Sequence, residues 1–114
     1  MLSETDITFF LRRIGLRATH VGFHYLACAI ALVVVNEAYL KCLTTRLYPE
    51  IAQKFAICPS SVERSLRNMV EIFWNRGNVP LLEGMLGYSL PDKPTTGEFI
   101  DILASYLRLE QQPA

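Results

Sequence analysis

The segment from Tyr48 to Asn78 constrains the fold of this chain most strongly. It divides into two helical stretches around Pro59, a residue that breaks a helix interior but is well suited to a first turn. The second stretch has an apolar stripe at helical spacing, within an arc of about 100°, formed by Val62, Leu66, Met69, Val70 and Phe73. The first has a shorter one, formed by Ile51, Ala52 and Phe55. The sequence therefore predicts a helix-turn-helix over about residues 49–77.

The opposite side of the second stretch is polar. It carries Ser60, Arg64, Arg67, Asn68 and Glu71. A helix that is anchored through one face and offers arginine, asparagine and serine on the other can contact base edges in the major groove of DNA. We therefore predict sequence-specific binding of double-stranded DNA.

The charge of the chain weighs partly against this prediction. The formal net charge is zero, whereas affinity for DNA depends largely on lysine and arginine that neutralise phosphates. The charges are unevenly distributed, however. Residues 1–77 carry nine Lys and Arg against six Asp and Glu, and residues 78–114 carry two against five. Because the polar helix lies in the positive part, we expect modest affinity that falls quickly with salt.

Composition predicts one globular domain over residues 1–114. Half of the chain is apolar (51%), and its length suits one hydrophobic core. The longest apolar stretch, Phe23 to Val35, falls short of the roughly 18 residues that a membrane span needs, and no signal-peptide pattern precedes Ile7. The three cysteines lack CxxC spacing, so we expect reduced thiols in a cytoplasmic protein without a membrane partner.

The rest of the chain also has helical patterns. A capping box of Ser3 and Asp6 predicts a first helix that ends near Gly15. Further helices are predicted over residues 19–35, 37–47 and 80–86, and a last one after a capping box of Thr95 and Glu98. The fold class predicted is therefore all-α.

Two boundaries within this pattern have specific sequence signals. The helix over residues 37–47 is expected to stop at Pro49. The β-branched run of Val33, Val34 and Val35 lowers helix propensity, so a strand is the competing prediction there.

Several blocks of residues, spread over nearly the whole chain, carry a family resemblance. They include Ile14-Gly15, Gly22-Phe23, Leu47-Tyr48-Pro49, Val62-Glu63-Arg64, Arg76-Gly77-Asn78, Lys93-Pro94-Thr95, Glu98-Phe99-Ile100 and Leu107-Arg108-Leu109-Glu110. At these positions the chain resembles the DNA-binding effector domain of the stage zero sporulation response regulator A family. The resemblance implies a compact six-helix domain that binds short promoter boxes, often in tandem and with two domains head to tail. We therefore expect a homodimer on tandem sites and no cofactor, with RNA polymerase as a further candidate partner.

In that family the domain follows a phosphorylatable receiver. This chain has none, so we expect either an excised effector domain or a stand-alone relative. Two residues also depart from the family pattern. Ser61 stands where the family usually has an arginine, and Asn68 replaces a common histidine. Because arginine is the commonest bidentate partner of guanine, the DNA box recognised is expected to differ from the usual one.

The polar face and the resemblance together predict the site residues. The base-reading residues are Ser61, Glu63, Arg64, Arg67 and Asn68, and the phosphate-contacting residues are Ser60, Arg76, Lys93 and Thr95. Three alternatives stay open. Glu63 can instead complete a capping box with Ser60, Arg67 can contact the backbone rather than a base, and Lys93 can be a solvated loop residue.

Two other functions have some support in the sequence. His20 and His24 have the spacing of a zinc pair, but the chain offers no obvious third ligand, so neither a metal site nor enzyme activity is predicted. A protein-interaction or dimerisation module with weakened DNA binding is the stronger alternative. Ser61, the zero net charge and the lack of a receiver favour it.

Overall fold

Six α-helices form the frame of the protein. The structure, a computed structural model, describes residues 2–110. The helices are α1 (Glu4–Arg13), α2 (Phe23–Val35), α3 (Tyr48–Phe55), α4 (Pro59–Arg76), α5 (Val79–Leu86) and α6 (Thr96–Glu110). The structure is 75% helical, and no strand occurs in the part of the chain that is described. The prediction of an all-α, six-helix fold is confirmed.

Helix α2 lies at the centre of the packing. It contacts α6 most extensively and also packs against α1 and α4. Its buried residues are Phe23, Leu26, Ala27, Cys28, Ala29, Ile30 and Val33. The competing strand prediction is wrong, because all three valines of the run belong to α2. Burial of Val33 against the core offsets the modest propensity cost of a β-branched residue, whereas Val35 is 87% exposed at the helix end.

Helix α2 begins four residues later than predicted, at Phe23 rather than Thr19. The preceding residues form a turn instead. The Arg17 N–H donates to Nδ1 of His20 at 3.3 Å, and the Phe23 N–H donates to the His20 carbonyl at 3.1 Å. This turn brings Gly22 against α4, a long-range contact that a local helix pattern does not contain.

The prediction of one helix over residues 37–47 is wrong. The structure has a 3-10 segment at Glu37–Lys41 and a π-type segment at Leu43–Leu47, separated by Cys42 with φ −137°. The break lets both Tyr39 and Leu47 reach the core. Pro49 does not stop a helix either, since it lies in the first turn of α3, where its missing N–H costs nothing.

The predicted caps are confirmed at both ends of the fold. Ser3 and Asp6 exchange hydrogen bonds at the start of α1, and Thr95 and Glu98 do so at the start of α6. These bonds from the N–H and hydroxyl groups of Ser3 and Thr95 lower the pKa values of Asp6 and Glu98. Both caps therefore weaken as the pH falls through the lowered pKa values and the carboxylates take up protons.

Arg108 of α6 binds the C-terminal end of α2 through hydrogen bonds to its last carbonyls. Its guanidinium donates to the carbonyls of Val33 at 2.9 Å and Val34 at 3.3 Å, and it pairs with Glu37.

We expect Arg108→Ala to lower the free energy of unfolding by about 1–2 kcal/mol, because charge-assisted bonds to helix-end carbonyls are lost. Urea denaturation would measure this as a lower midpoint at unchanged slope. Arg108→Lys, which cannot donate to both carbonyls as a planar fork, should be intermediate.

Candidate nucleic-acid interface

Helices α3 and α4 form the predicted helix-turn-helix. Helix α3 ends at Phe55, and the next residue, Ala56, is its C-cap and adopts the left-handed conformation with φ 56°. The Ile57 N–H then donates to the Ala52 carbonyl at 3.0 Å, and α4 begins at Pro59 after an extended Cys58. The five apolar residues that the sequence assigns to the inner stripe of α4 are all buried: Val62, Leu66, Met69, Val70 and Phe73. The helix is thus fixed through its whole inner side.

The C-terminal end of α4 is also fixed. Gly77 ends the helix, but with extended backbone rather than a left-handed cap. A Cβ atom at Gly77 would lie 2.7 Å from the Phe73 carbonyl oxygen and 2.9 Å from that of Ile14. A Cβ atom at Gly15, whose φ is +96°, would lie 2.8 Å from Cα of Gly77, and the Asn78 N–H donates to the Ile14 carbonyl at 2.8 Å. Two glycines therefore let the end of α1 meet the end of α4.

The outer face of α4 is polar and exposed. Ser60, Glu63, Arg64, Arg67 and Asn68 are exposed, and Ser61 is half-buried. Four of the five residues predicted to read bases line one open groove of about 670 Å³, namely Ser61, Arg64, Arg67 and Asn68. Ser65 and Glu71 complete its polar wall. The fifth, Glu63, lies outside the groove lining.

The second wall of this groove is apolar and was not predicted. It is formed by Val21, Tyr25 and Ile57, and Val21 is 75% exposed. Val21 belongs to the turn before α2, 38 residues before α4 begins at Pro59. Only the tertiary contact of that turn with α4 brings it here, so no local pattern points to it. An exposed valine beside polar residues offers an apolar surface of the kind that contacts thymine methyl groups.

Two ion pairs cross the polar face. Glu63 and Arg67 pair at 3.9 Å along α4, and Lys93 of the loop before α6 pairs with Glu71. The alternative in which Ser60 and Glu63 form a capping box is wrong, because Cys58 is the N-cap of α4. The buried Tyr48 lies near the ion pair of Glu63 and Arg67. Its pKa is raised chiefly by burial and next by the charge of Glu63.

The residues predicted to contact phosphates are more dispersed. Lys93 reaches the polar face through Glu71. The Thr95 hydroxyl oxygen accepts the Glu98 N–H at 3.2 Å, which leaves its O–H as a donor. Ser60 lies in the first turn of α4, and Arg76 is exposed in its last turn. Arg76 follows Arg64 by about 18 Å along the helix axis and is turned from it by about 120°.

The other sequence features give no second site. Nδ1 of His20 accepts the Arg17 N–H, and His24 lies edge-on to the Phe23 ring. Across residues 2–110, no group of three or more His, Cys, Asp or Glu side chains is arranged to hold a metal ion. Over the same range, none of the helices combines the length and the apolar character needed to cross a bilayer.

Comparison with known protein families decides the classification. The family described as the C-terminal domain of the sporulation initiation factor Spo0A matches residues 7–107. The chain belongs to this family. The members of this family are DNA-binding effector domains of sporulation regulators, and the family is not one of enzymes. The match begins in α1 and ends in α6, so it includes every helix that fixes the polar face of α4.

Proposed function

We propose that this chain binds double-stranded promoter DNA in a sequence-specific manner, with α4 as a recognition helix in the major groove. The observation that carries the proposal is the groove in which Ser61, Arg64, Arg67 and Asn68 lie together on a helix buried along its other side. A rigid helix holds its outward side chains in fixed positions, which base readout requires. Family membership supports the same function.

Each residue has a distinct role in this proposal. Arg64, at the centre of the exposed face, donates to a guanine, and Asn68 one turn later can pair with an adenine. Arg67 contacts either a base or the flanking backbone. Ser61 and Glu63 read bases at the edges of the helix, Glu63 by accepting from a cytosine amino group. Ser60, Arg76, Lys93 and Thr95 contact phosphates and so set the position of the domain on the duplex.

The same proposal includes assembly and partners, for which family membership is the support. The domain acts as a regulator of transcription, occupies tandem promoter boxes as a homodimer, and contacts RNA polymerase from that position. Because Ser61 replaces the usual arginine, the box recognised lacks the base preference which that arginine provides.

Selection of bound sequences from a random DNA pool at near-physiological salt tests this proposal. We expect enrichment of one short box with a guanine at a fixed position, and tandem copies of it if two domains bind together. A pool that shows no enrichment after several rounds would contradict sequence-specific binding. Repeating the selection with Arg64→Ala should remove the preference for that guanine.

A protein-interaction module is the second candidate. An apolar groove of about 290 Å³ between α5 and α6 favours it, lined by Met85, Leu86, Tyr88, Ile102, Tyr106 and Leu109 among others. Tyr88 is 54% exposed and Leu109 66% exposed, and exposed apolar residues in one place are typical of protein contacts. Nanomolar binding of the isolated domain to one defined DNA site would eliminate this candidate as the main function.

A further inference from the structure

The ion pair between Lys93 and Glu71 joins the loop before α6 to the polar face of α4. Glu71 lines the same groove as Arg64 and Arg67, and it follows Arg67 by one helical turn. A carboxylate therefore lies on the surface that the proposed function assigns to DNA. Since DNA is a polyanion, this carboxylate needs an explanation.

The loop that carries Lys93 is anchored on both sides. On one side the Leu90 N–H donates to the Glu83 carboxylate at 2.7 Å. On the other side Pro94 is buried, and Thr95 caps α6. Because the backbone is held in place, the Lys93 ammonium can change partner by a side-chain movement alone.

The pair itself is easily exchanged. Its two side chains are 43% and 44% exposed, and ion pairs with this exposure contribute little to stability. A phosphate oxygen offers the Lys93 ammonium an equivalent charge-assisted hydrogen bond. While the pair is intact, however, the charge of Lys93 is neutralised and adds little to the attraction between the domain and DNA.

We propose that Glu71 is an internal substitute for a DNA phosphate. In the free domain it holds Lys93 against α4, and in the specific complex a phosphate replaces it. In a loosely docked complex on arbitrary sequence, phosphates come within reach of Lys93 but are not positioned well enough to displace Glu71, so Lys93 stays neutralised. Glu71 thereby lowers non-specific binding and raises the ratio of specific to non-specific affinity. This inference rests on the proposed function and assigns Glu71 a role in its specificity.

Glu71→Gln tests the inference, because glutamine keeps the size and the acceptor oxygen but removes the charge. On a mixed-sequence duplex we expect about two- to fivefold tighter binding. The plot of log affinity against log salt should also become steeper by about 0.9, the value for one added phosphate contact. Affinity for the selected box should change less, so the specificity ratio should fall.

Two further variants separate this role from a general change in charge. Glu110→Gln makes the same charge change at the end of α6, in the groove between α5 and α6, and should leave the salt slope unchanged. Glu71→Gln combined with Lys93→Ala should have the same slope of log affinity against log salt as Lys93→Ala alone, because no lysine remains at position 93 for Glu71 to neutralise. A steeper slope in the double variant would overturn the inference.

Retention on heparin, a sulfated polyanion, provides a reading that does not depend on DNA. Glu71→Gln should elute at higher salt than the wild type and Glu110→Gln, and equal elution of the two variants would overturn the role of Glu71. A wild-type domain that binds no duplex at any salt would contradict the proposed function. The order in which the variants elute from heparin would still decide the role of Glu71. Wild-type binding with an unchanged Glu71→Gln slope would overturn this inference alone.

Discussion

Replacing Arg64 with alanine is expected to weaken binding to the selected DNA box by roughly 5- to 150-fold, which corresponds to about 1–3 kcal/mol for one bidentate base contact. Arg64 is exposed at the centre of the α4 face and lines the groove with Ser61, Arg67 and Asn68. The fold should be unaffected, because alanine is a good helix former at an exposed position. Fluorescence anisotropy with labelled duplexes at fixed salt would measure the change.

The decisive comparison is between specific and non-specific binding. Arg13→Ala removes the same charge from the exposed last turn of α1 and is the matched control. Both variants should lose a similar small amount of affinity for mixed-sequence DNA, but only Arg64→Ala should lose the preference for the box. Arg64→Lys keeps the charge without the planar fork and should lie between them. If Arg64→Ala and Arg13→Ala behave alike on the box, Arg64 does not read bases.

Local pattern was sufficient to predict much of this fold. The 3.6-residue period of Val62, Leu66, Met69, Val70 and Phe73 defines the buried side of α4, and these residues are all buried. The same pattern leaves Arg64, Arg67 and Asn68 outside, and they are exposed. Capping boxes depend on residues three positions apart, so both were predictable as well.

The errors have a common physical cause, which is tertiary contact. The turn before α2 and the break at Cys42 both replace predicted helix, because Gly22 must meet α4 and because Tyr39 and Leu47 must both be buried. The apolar wall of the groove at Val21 and the pairing of Lys93 with Glu71 likewise join segments distant in sequence. The position of the candidate site was therefore predictable from α4 alone, but its second wall and its internal counterion were not.

Gly22→Ala is expected to test how that second wall is held. The backbone at Gly22 has φ −82° and ψ 0°, which any residue can adopt, so the glycine is not needed for its conformation. A Cβ atom there would instead lie 2.6 Å from the Ser65 carbonyl oxygen and 2.5 Å from Cγ of Met69. The Met69 side chain can move aside, but the Ser65 carbonyl belongs to the backbone of α4 and cannot.

The turn before α2 must then move away from α4. We expect Gly22→Ala to lower the free energy of unfolding by about 3 kcal/mol, the upper range for overpacking a well-packed contact. Because Val21 moves with the turn, the remaining folded protein should also bind the box more weakly.

Gly84→Ala is the matched control, since a Cβ atom at Gly84 inside α5 meets nothing within 4 Å. That variant should instead gain about 0.5–1 kcal/mol from helix propensity, with DNA binding unchanged. Urea denaturation of both variants, followed by anisotropy under conditions where each is folded, separates the two effects. If Gly22→Ala is as stable as the wild type, the close approach of the turn to α4 is not a constraint on this fold.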